Sequence, residues 1–275
     1  MKNLSRSSPQ SEEAPRNALK RIGLEHLDCV TYAIGDVHGC FDELRALEQQ
    51  IIIDAANFPG DKLIIMLGDY VDRGPASSGV IDHLMQPPPQ GFVRFCLAGN
   101  HELMMLDYLE GRVRLAEWLG YGGAQTLASY GVDVSQYDQT AAGQEALNVL
   151  VRKNIPLAHL QFLKSLAVFI EAPGYLFVHA GLMPNIPLEK QGDTLLTTIR
   201  SEFYSQSHLL DRLVVHGHTP VEQPIYEANR VNLDTGACLT GRLTGMRIWH
   251  HTGRFLSNRP GGLVRPALVA SEQQS

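Results

Sequence analysis

Between residues 30 and 250 the chain alternates short apolar runs with longer amphipathic stretches. The apolar runs fall at 30–35, 62–68 (KLIIMLG), 92–99 (FVRFCLAG), 167–180 (AVFIEA and YLFVHA), 212–218 (RLVVHGH), 230–236 (RVNLDTG) and 243–250 (LTGMRIWH), and each predicts a strand. Between the first three, Phe41 to Ile53 and Ser77 to Gln86 place apolar residues at helical spacing. The resulting β-α-β-α-β order predicts a parallel or mixed sheet covered by helices. The later runs follow each other closely, which suggests antiparallel pairing. Residues 101–165 read as mostly helical, with breaks at GYGG and YGVD, and predict a helical cap inserted between two strands. QPPPQG, residues 86–91, reads as a rigid loop between a helix and a strand.

The two ends differ from this body. Residues 1–27 and 257–275 carry little patterned apolar content and are expected to form loose tails around a folded unit at 28–256. At 275 residues the chain is long enough for a substantial core, and 44% hydrophobic with 19% charged content is ordinary for a globular protein. A formal charge of −6 argues against a sequence-independent nucleic-acid binder. Cys29, Cys40, Cys96 and Cys238 form no CxxC pair, and three of them border apolar runs, so they read as reduced packing residues. With no apolar run long enough for a membrane span and no apolar segment in the N-terminal stretch, a cytoplasmic protein with no membrane partner is the default expectation.

The chemistry sits where the apolar runs stop. YAIGDVHGC ends its run with Asp36 and His38, whose i, i+2 spacing sends both to one strand face. KLIIMLGDYVDRG ends with Asp69, then supplies Asp72 and Arg73; RFCLAGNHE ends with Asn100 and His101; YLFVHAG ends with His179; RLVVHGHTP ends with His216 and His218. Taken alone, each residue has a plain structural explanation: an Asp or Asn after a strand is usually a turn former, and a His in an apolar run is usually a packed one. The repetition at five strand ends is what those explanations leave out, because ligands in open α/β sheets bind outside the carboxyl ends of strands.

Asp36, His38, Asp69, Asn100, His179 and His218 make six oxygen and nitrogen donors, too many for one open zinc site. The absence of thiolate suits Mn²⁺, Fe or Zn²⁺, and a pair of ions ~3.5–4 Å apart could clamp a displacement at phosphorus. Arg73 offers a planar fork that matches phosphate oxygens, and His101 is placed to protonate a leaving oxygen.

GDVHG, GDYVDRG and GNHE, in this order and extended by VHAG, HGHTP and LDTGA, resemble the signature of the phosphoprotein phosphatase family of calcineurin-like metallophosphoesterases, in its short bacterial and phage form. The resemblance spans about residues 30–250 and makes 28–256 the catalytic domain. It implies an α/β fold of two facing mixed β-sheets flanked by helices, with a helical cap insertion. It also implies two divalent metal ions, with Mn²⁺ the expected one. One would be held by Asp36, His38 and Asp69, the other by Asp69, Asn100, His179 and His218. Arg73 and, from the TIRSEF segment, Arg200 would bind substrate phosphate; His101 would act as the acid, oriented by Asp72. His216 is expected to support the ligands from behind. The implied reaction is direct in-line hydrolysis of a phosphomonoester on a protein serine or threonine, or on a small molecule. Two rivals remain open: a symmetrical diadenosine polyphosphate hydrolase, whose relatives typically lack the aspartate of the VDRG loop, and an inactive module that binds phosphorylated partners.

Overall fold

The computed structural model describes residues 18–137, 140–250 and 252–259. A first strand, β1 (Lys20–Gly23), leads into β2 (Val30–Ile34), α1 (Phe41–Ala55), β3 (Lys62–Met66), α2 (Ser77–Met85) and β4 (Phe92–Cys96). A helical block follows: α3 (Asn100–Leu109), α4 (Leu115–Gly120), α5 (Gly123–Ser129), α6 (Ala141–Asn154) and α7 (Leu157–Ser165). Next come β5 (Ala167–Ala172), β6 (Tyr175–Val178), α8 (Asp193–Thr198), α9 (Ser201–Gln206) and β7 (Leu213–His216). The described chain closes with β8 (Ile225–Glu227), β9 (Arg230–Asn232), α10 (Ala237–Thr240), β10 (Thr244–Trp249) and β11 (Thr252–Ser257).

The strands form a five-stranded sheet, β11-β10-β2-β3-β4, and a six-stranded sheet, β1-β5-β6-β7-β9-β8. Alternation along the strands explains why the sheets face each other. Ala33, Leu63, Ile65, Phe177, Val215 and Val231 point into a core between the sheets, together with Met246 and Ile248. Their neighbours Tyr32, Ile34, Ile64, Met66, Leu176 and Val214 point the opposite way and pack with helix residues such as Leu44, Leu47, Val80 and Leu103. Strands apolar on both faces must be covered on both faces, which produces an α/β sandwich of two mixed sheets flanked by helices.

Within the first sheet β2, β3 and β4 are mutually parallel, as their helical crossovers require. The later strands depart from the antiparallel expectation. β5–β6, β8–β9 and β10–β11 are antiparallel, but β6–β7 and β7–β9 are parallel. The link from β6 to β7 carries α8 and α9, long enough for a parallel crossover.

The expected tails at 1–17 and 260–275 lie outside the described residues. Residues 20–23, assigned above to a loose tail, instead form β1, paired in parallel with β5. The segment KRIG offers one apolar residue, so hydrophobic patterning carries no signal; backbone pairing and Arg21 hold it. Arg21 donates to the carbonyls of Glu189 (3.0 Å) and Gln191 (2.7 Å), and the Leu19 N–H donates to Asp193 (2.7 Å). All four cysteines are free, and among the described residues no helix is long and apolar enough to cross a membrane. Deleting the chain through Gly23 should lower Tm by roughly 4–8 °C, equivalent to about 2 kcal/mol for a protein this size. A thermal scan showing no shift would mean that β1 contributes nothing to stability.

Candidate functional site

Five strand ends converge. Asp36 and His38 follow β2, Asp69 to Arg73 follow β3, Asn100 and His101 open α3 just after β4, His179 follows β6 and His218 follows β7. The loops are strained: His38, Asp69, Asp72, Arg73 and His218 have φ of 44°, 52°, 70°, 68° and 71°. Left-handed backbone at non-glycine residues costs about 1–3 kcal/mol each and persists only where surroundings over-determine it. Here a buried carboxylate does much of that. Glu102 accepts the N–H groups of Gly99 (2.8 Å), Asp69 (2.8 Å), Tyr70 (2.7 Å) and Val71 (3.2 Å). The Asp69 carbonyl in turn accepts from Val37 (3.1 Å) and His38 (2.7 Å), which ties the β2 loop to the β3 loop. Gly99 permits the contact, since a Cβ there would overlap the Asp69 backbone and carboxylate.

Around Asp69 the ligand-type atoms form two groups, His38–Asp69–His101 and Asp69–His179–His218, with the atoms of each group within 4.8 Å of one another. Asp69 Oδ2 is the shared atom, 3.5 Å from His38 Nε2, 3.4 Å from His179 Nε2 and 3.9 Å from His101 Nε2. The first group therefore brings in His101, where the sequence suggested Asp36. The Asp36 carboxylate instead accepts the His218 backbone N–H, at 3.0 Å to Oδ2. Asn100 Oδ1 lies 3.2 Å from His179 Nε2.

The imidazoles are aimed by their far nitrogens: His38 Nδ1 sits 2.8 Å from the Val71 carbonyl and His179 Nδ1 2.9 Å from that of Leu67, so each Nε2 faces Asp69. Burial pulls His38 down to about 4 and His218 to about 3, keeping both neutral. His179 behaves oppositely: burial lowers it, but the Asp69 and Asp36 carboxylates outweigh burial and raise it to about 10. A cluster whose negative charge holds a proton on a buried imidazole is one a cation can stabilise. Imidazoles turned by backbone carbonyls toward a shared carboxylate, His38 neutral and His179 holding a proton that a cation could displace, thus fit divalent ions.

Both arginines reach this centre. Arg73 Nη1 lies 2.9 Å from His38 Nε2, and Arg200 Nε donates to His218 Nε2 at 3.0 Å. One stands at each group. His101 Nδ1 lies 2.7 Å from Asp72 Oδ2. Burial depresses the His101 imidazolium, yet Asp69 and Asp72 outweigh it and raise its pKa. Asp72 is itself enclosed: Trp118 Nε1 donates to it at 3.0 Å and Thr126 Oγ1 at 2.8 Å. Both donors come from the helical block, whose Gly122 carbonyl also accepts the Arg73 N–H at 3.1 Å.

His216 joins neither group. Its ring lies against Phe203 and Tyr204, at centroid distances of 5.2 and 5.8 Å, behind the site. Glu102, Trp118, Thr126 and Asp234 were given no role from sequence. Asp234 is buried, accepts the Gly236 N–H at 2.9 Å, and adds to burial in raising the Asp36 pKa. Its signal was present in LDTGA, and that of Glu102 in GNHE; Trp118 and Thr126 lie in helices with no motif.

Residues 30–242 match the family model for calcineurin-like phosphoesterases. Curated relatives from Bacillus velezensis (26% identical, 79% of this chain and 88% of the relative) and Bacillus cereus (29% identical, 78% and 88%) are both named asymmetrical bis(5'-nucleosyl)-tetraphosphatase PrpE. Among solved structures, a candidate diadenosine tetraphosphatase superposes with a TM-score of 0.60 at 20% identity, covering 88% of this chain and 100% of that one. A cold-active protein tyrosine phosphatase superposes with a TM-score of 0.51 at 18% identity, covering 87% and 81%.

These relatives overturn the expectation of a protein serine/threonine phosphatase and do not match the symmetrical hydrolase that stood as its rival. The structure shows why Asp72 misled. Its side chain is fully buried and bonded to His101, Trp118 and Thr126, so it is placed to hold His101 and not to touch a substrate directly. What the match and the fold establish is broader: the chain belongs to the calcineurin-like phosphoesterase family.

Proposed function

We propose that this protein is a metal-dependent hydrolase of dinucleoside polyphosphates that cleaves them asymmetrically, into a nucleoside triphosphate and a nucleoside monophosphate. The names of the curated relatives, matched over 88% of their length, support the substrate class. The observation that carries the reading onto this site is the pairing of one arginine with each half of the centre, Arg73 at His38 and Arg200 at His218. A polyphosphate presents anionic groups on both sides of the phosphorus under attack, and two planar cations at separate points suit that shape.

In this reading Asp36, His38 and Asp69 would hold one ion and Asp69, Asn100, His179 and His218 the other, and Mn²⁺ would suit these oxygen and imidazole donors. Bound ions supply positive charge against phosphoryl oxygens and lower the pKa of water. Arg73 and Arg200 grip the flanking phosphates. One outer P–O–P linkage breaks: the oxygen of water joins the inner phosphorus of that linkage and gives up a proton to solvent, and His101 gives its Nε2 proton to the bridge oxygen that departs with AMP. Asp72 keeps the His101 ring turned so that Nε2 faces that oxygen.

Three measurements test this. With Mn²⁺, diadenosine tetraphosphate should yield ATP and AMP by chromatography; two molecules of ADP, or no turnover, would sink the reading. Asp69→Asn should lose bound metal together with activity, and full metal occupancy by elemental analysis would remove Asp69 from the shared position. His101→Asn should keep its metal and lose about 10²-fold in kcat, the low end of general-acid effects, because a phosphate leaving group needs a proton less than an alkoxide does. Unchanged kcat, under conditions where chemistry limits the rate, would deny His101 the proton-donor role.

A further inference from the structure

Two large aromatic side chains among the described residues remain exposed, Tyr121 at 44% and Tyr226 at 38%. Tyr226 lies on the short edge strand β8. Tyr121 lies at the catalytic centre: its ring meets that of His101 edge-on, at 5.5 Å between centroids and 71° between planes. Nothing in the phosphoryl chemistry above uses it.

The placement of Tyr121 is determined by the same stretch that braces the acid. Tyr121 caps the end of α4, its N–H donating to the Trp118 carbonyl at 2.9 Å, while the Trp118 ring holds Asp72. The next residue, Gly122, has φ +100°, and its carbonyl accepts the Arg73 N–H. A Cβ at Gly122 would lie 2.9 Å from Arg73 Cγ, so only glycine lets the two loops approach this closely. Thr126, one turn into α5, closes on Asp72 from the other side. Tyr121 therefore stands at a set position relative to Asp72, Arg73 and His101, partly solvated, with its ring against that of His101.

We infer that Tyr121 is the stacking platform for a nucleobase of the substrate, the base of the nucleotide that departs on the His101 side. This inference rests on the dinucleoside polyphosphate reading and deepens it by naming the residue that distinguishes a nucleotide from a bare phosphate chain. The physical case has three parts. A purine offers a flat π-face, and an exposed tyrosine ring is the side chain that pairs with it through stacking. The contact to His101 is T-shaped, so it takes up at most one face of the Tyr121 ring, and the side chain remains 44% exposed. Because the α4–α5 turn is already tied to the Arg73 and Asp72 loop, little ordering remains to be done on binding.

The test uses the full-length, metal-loaded enzyme and three substitutions, Tyr121→Phe, Tyr121→Leu and Tyr121→Ala. Base–aromatic stacking predicts that KM for diadenosine tetraphosphate and the inhibition constant for AMP rise roughly 10-fold or more in the leucine and alanine variants. Phenylalanine, which keeps the π-face, should restore both to within about 3-fold, and the inhibition constant for inorganic phosphate should not follow the change. Equal losses on AMP and inorganic phosphate, or a fall in kcat with KM unmoved, would mean that Tyr121 merely props the His101 ring, and would overturn the proposal. Unaltered KM and AMP inhibition in the alanine variant would overturn it equally. In either case a wild-type enzyme that releases ATP and AMP leaves the functional reading standing; a wild-type enzyme inert toward diadenosine tetraphosphate removes that reading and this inference together.

Discussion

The geometry of the centre depends on one buried carboxylate that touches no substrate. Glu102 collects the N–H groups of Gly99, Asp69, Tyr70 and Val71, four donors from two separate loops. Charge-assisted bonds of this kind are roughly twice as strong as neutral ones and are stronger still away from water. They hold Asp69 at φ 52°, a conformation its side chain would not otherwise choose. From Asp69 the constraint spreads: its carbonyl takes the Val37 and His38 N–H groups, and its carboxylate faces His38, His179 and His101. Burial first, and then the Asp69 charge, push the Glu102 carboxyl up to about 7, so the neighbouring carboxylate adds to a local concentration of negative charge. A cation is the natural complement of that concentration.

Much of this was legible in the chain because its logic is local. A run that stops at Gly-Asp-x-His announces both the end of β2 and two ligand-type residues in the loop after it, although His38, at φ 44°, no longer follows strand alternation. Repetition at the ends of β2, β3, β4, β6 and β7 points to one site, and the structure brings those ends together. The same locality explains what was missed. Trp118 and Thr126 reach Asp72 across 46 and 54 residues, from ordinary-looking helices. β1 exists because β5 offers an open edge, not because KRIG has strand character. That His101 also comes within ligand distance of His38 and Asp69, while the Asp36 carboxylate accepts the His218 N–H, is a matter of loop shape that spacing alone does not encode.

The substrate was the least legible feature, for a physical reason. Residues that carry out phosphoryl chemistry must sit at the strand ends, where short motifs record them. Residues that read the remainder of a substrate can sit on any element that reaches the mouth of the site. The Asp72–Arg73 pair looked like a statement about substrate because it lies inside a motif. Asp72 proves to be an internal brace, bonded on every side by protein. A motif residue can therefore be necessary to the reaction and silent about its substrate.

The helical block between β4 and β5 joins these two roles. It contributes Trp118 and Thr126 to the brace behind His101, the Gly122 carbonyl to the Arg73 loop, and the exposed Tyr121 ring at the mouth. The bonds that hold Asp72 and Arg73, and the exposed Tyr121 ring proposed above to meet the base, thus come from the short span 118–126. Coupling them in one rigid turn has a consequence. A change that shifted Tyr121 would also disturb the bonds that Trp118 and Thr126 make to Asp72 and, through it, the His101 ring. On the proposal that Tyr121 meets the base, substrate choice would be built into the element that braces His101, not appended to a finished centre.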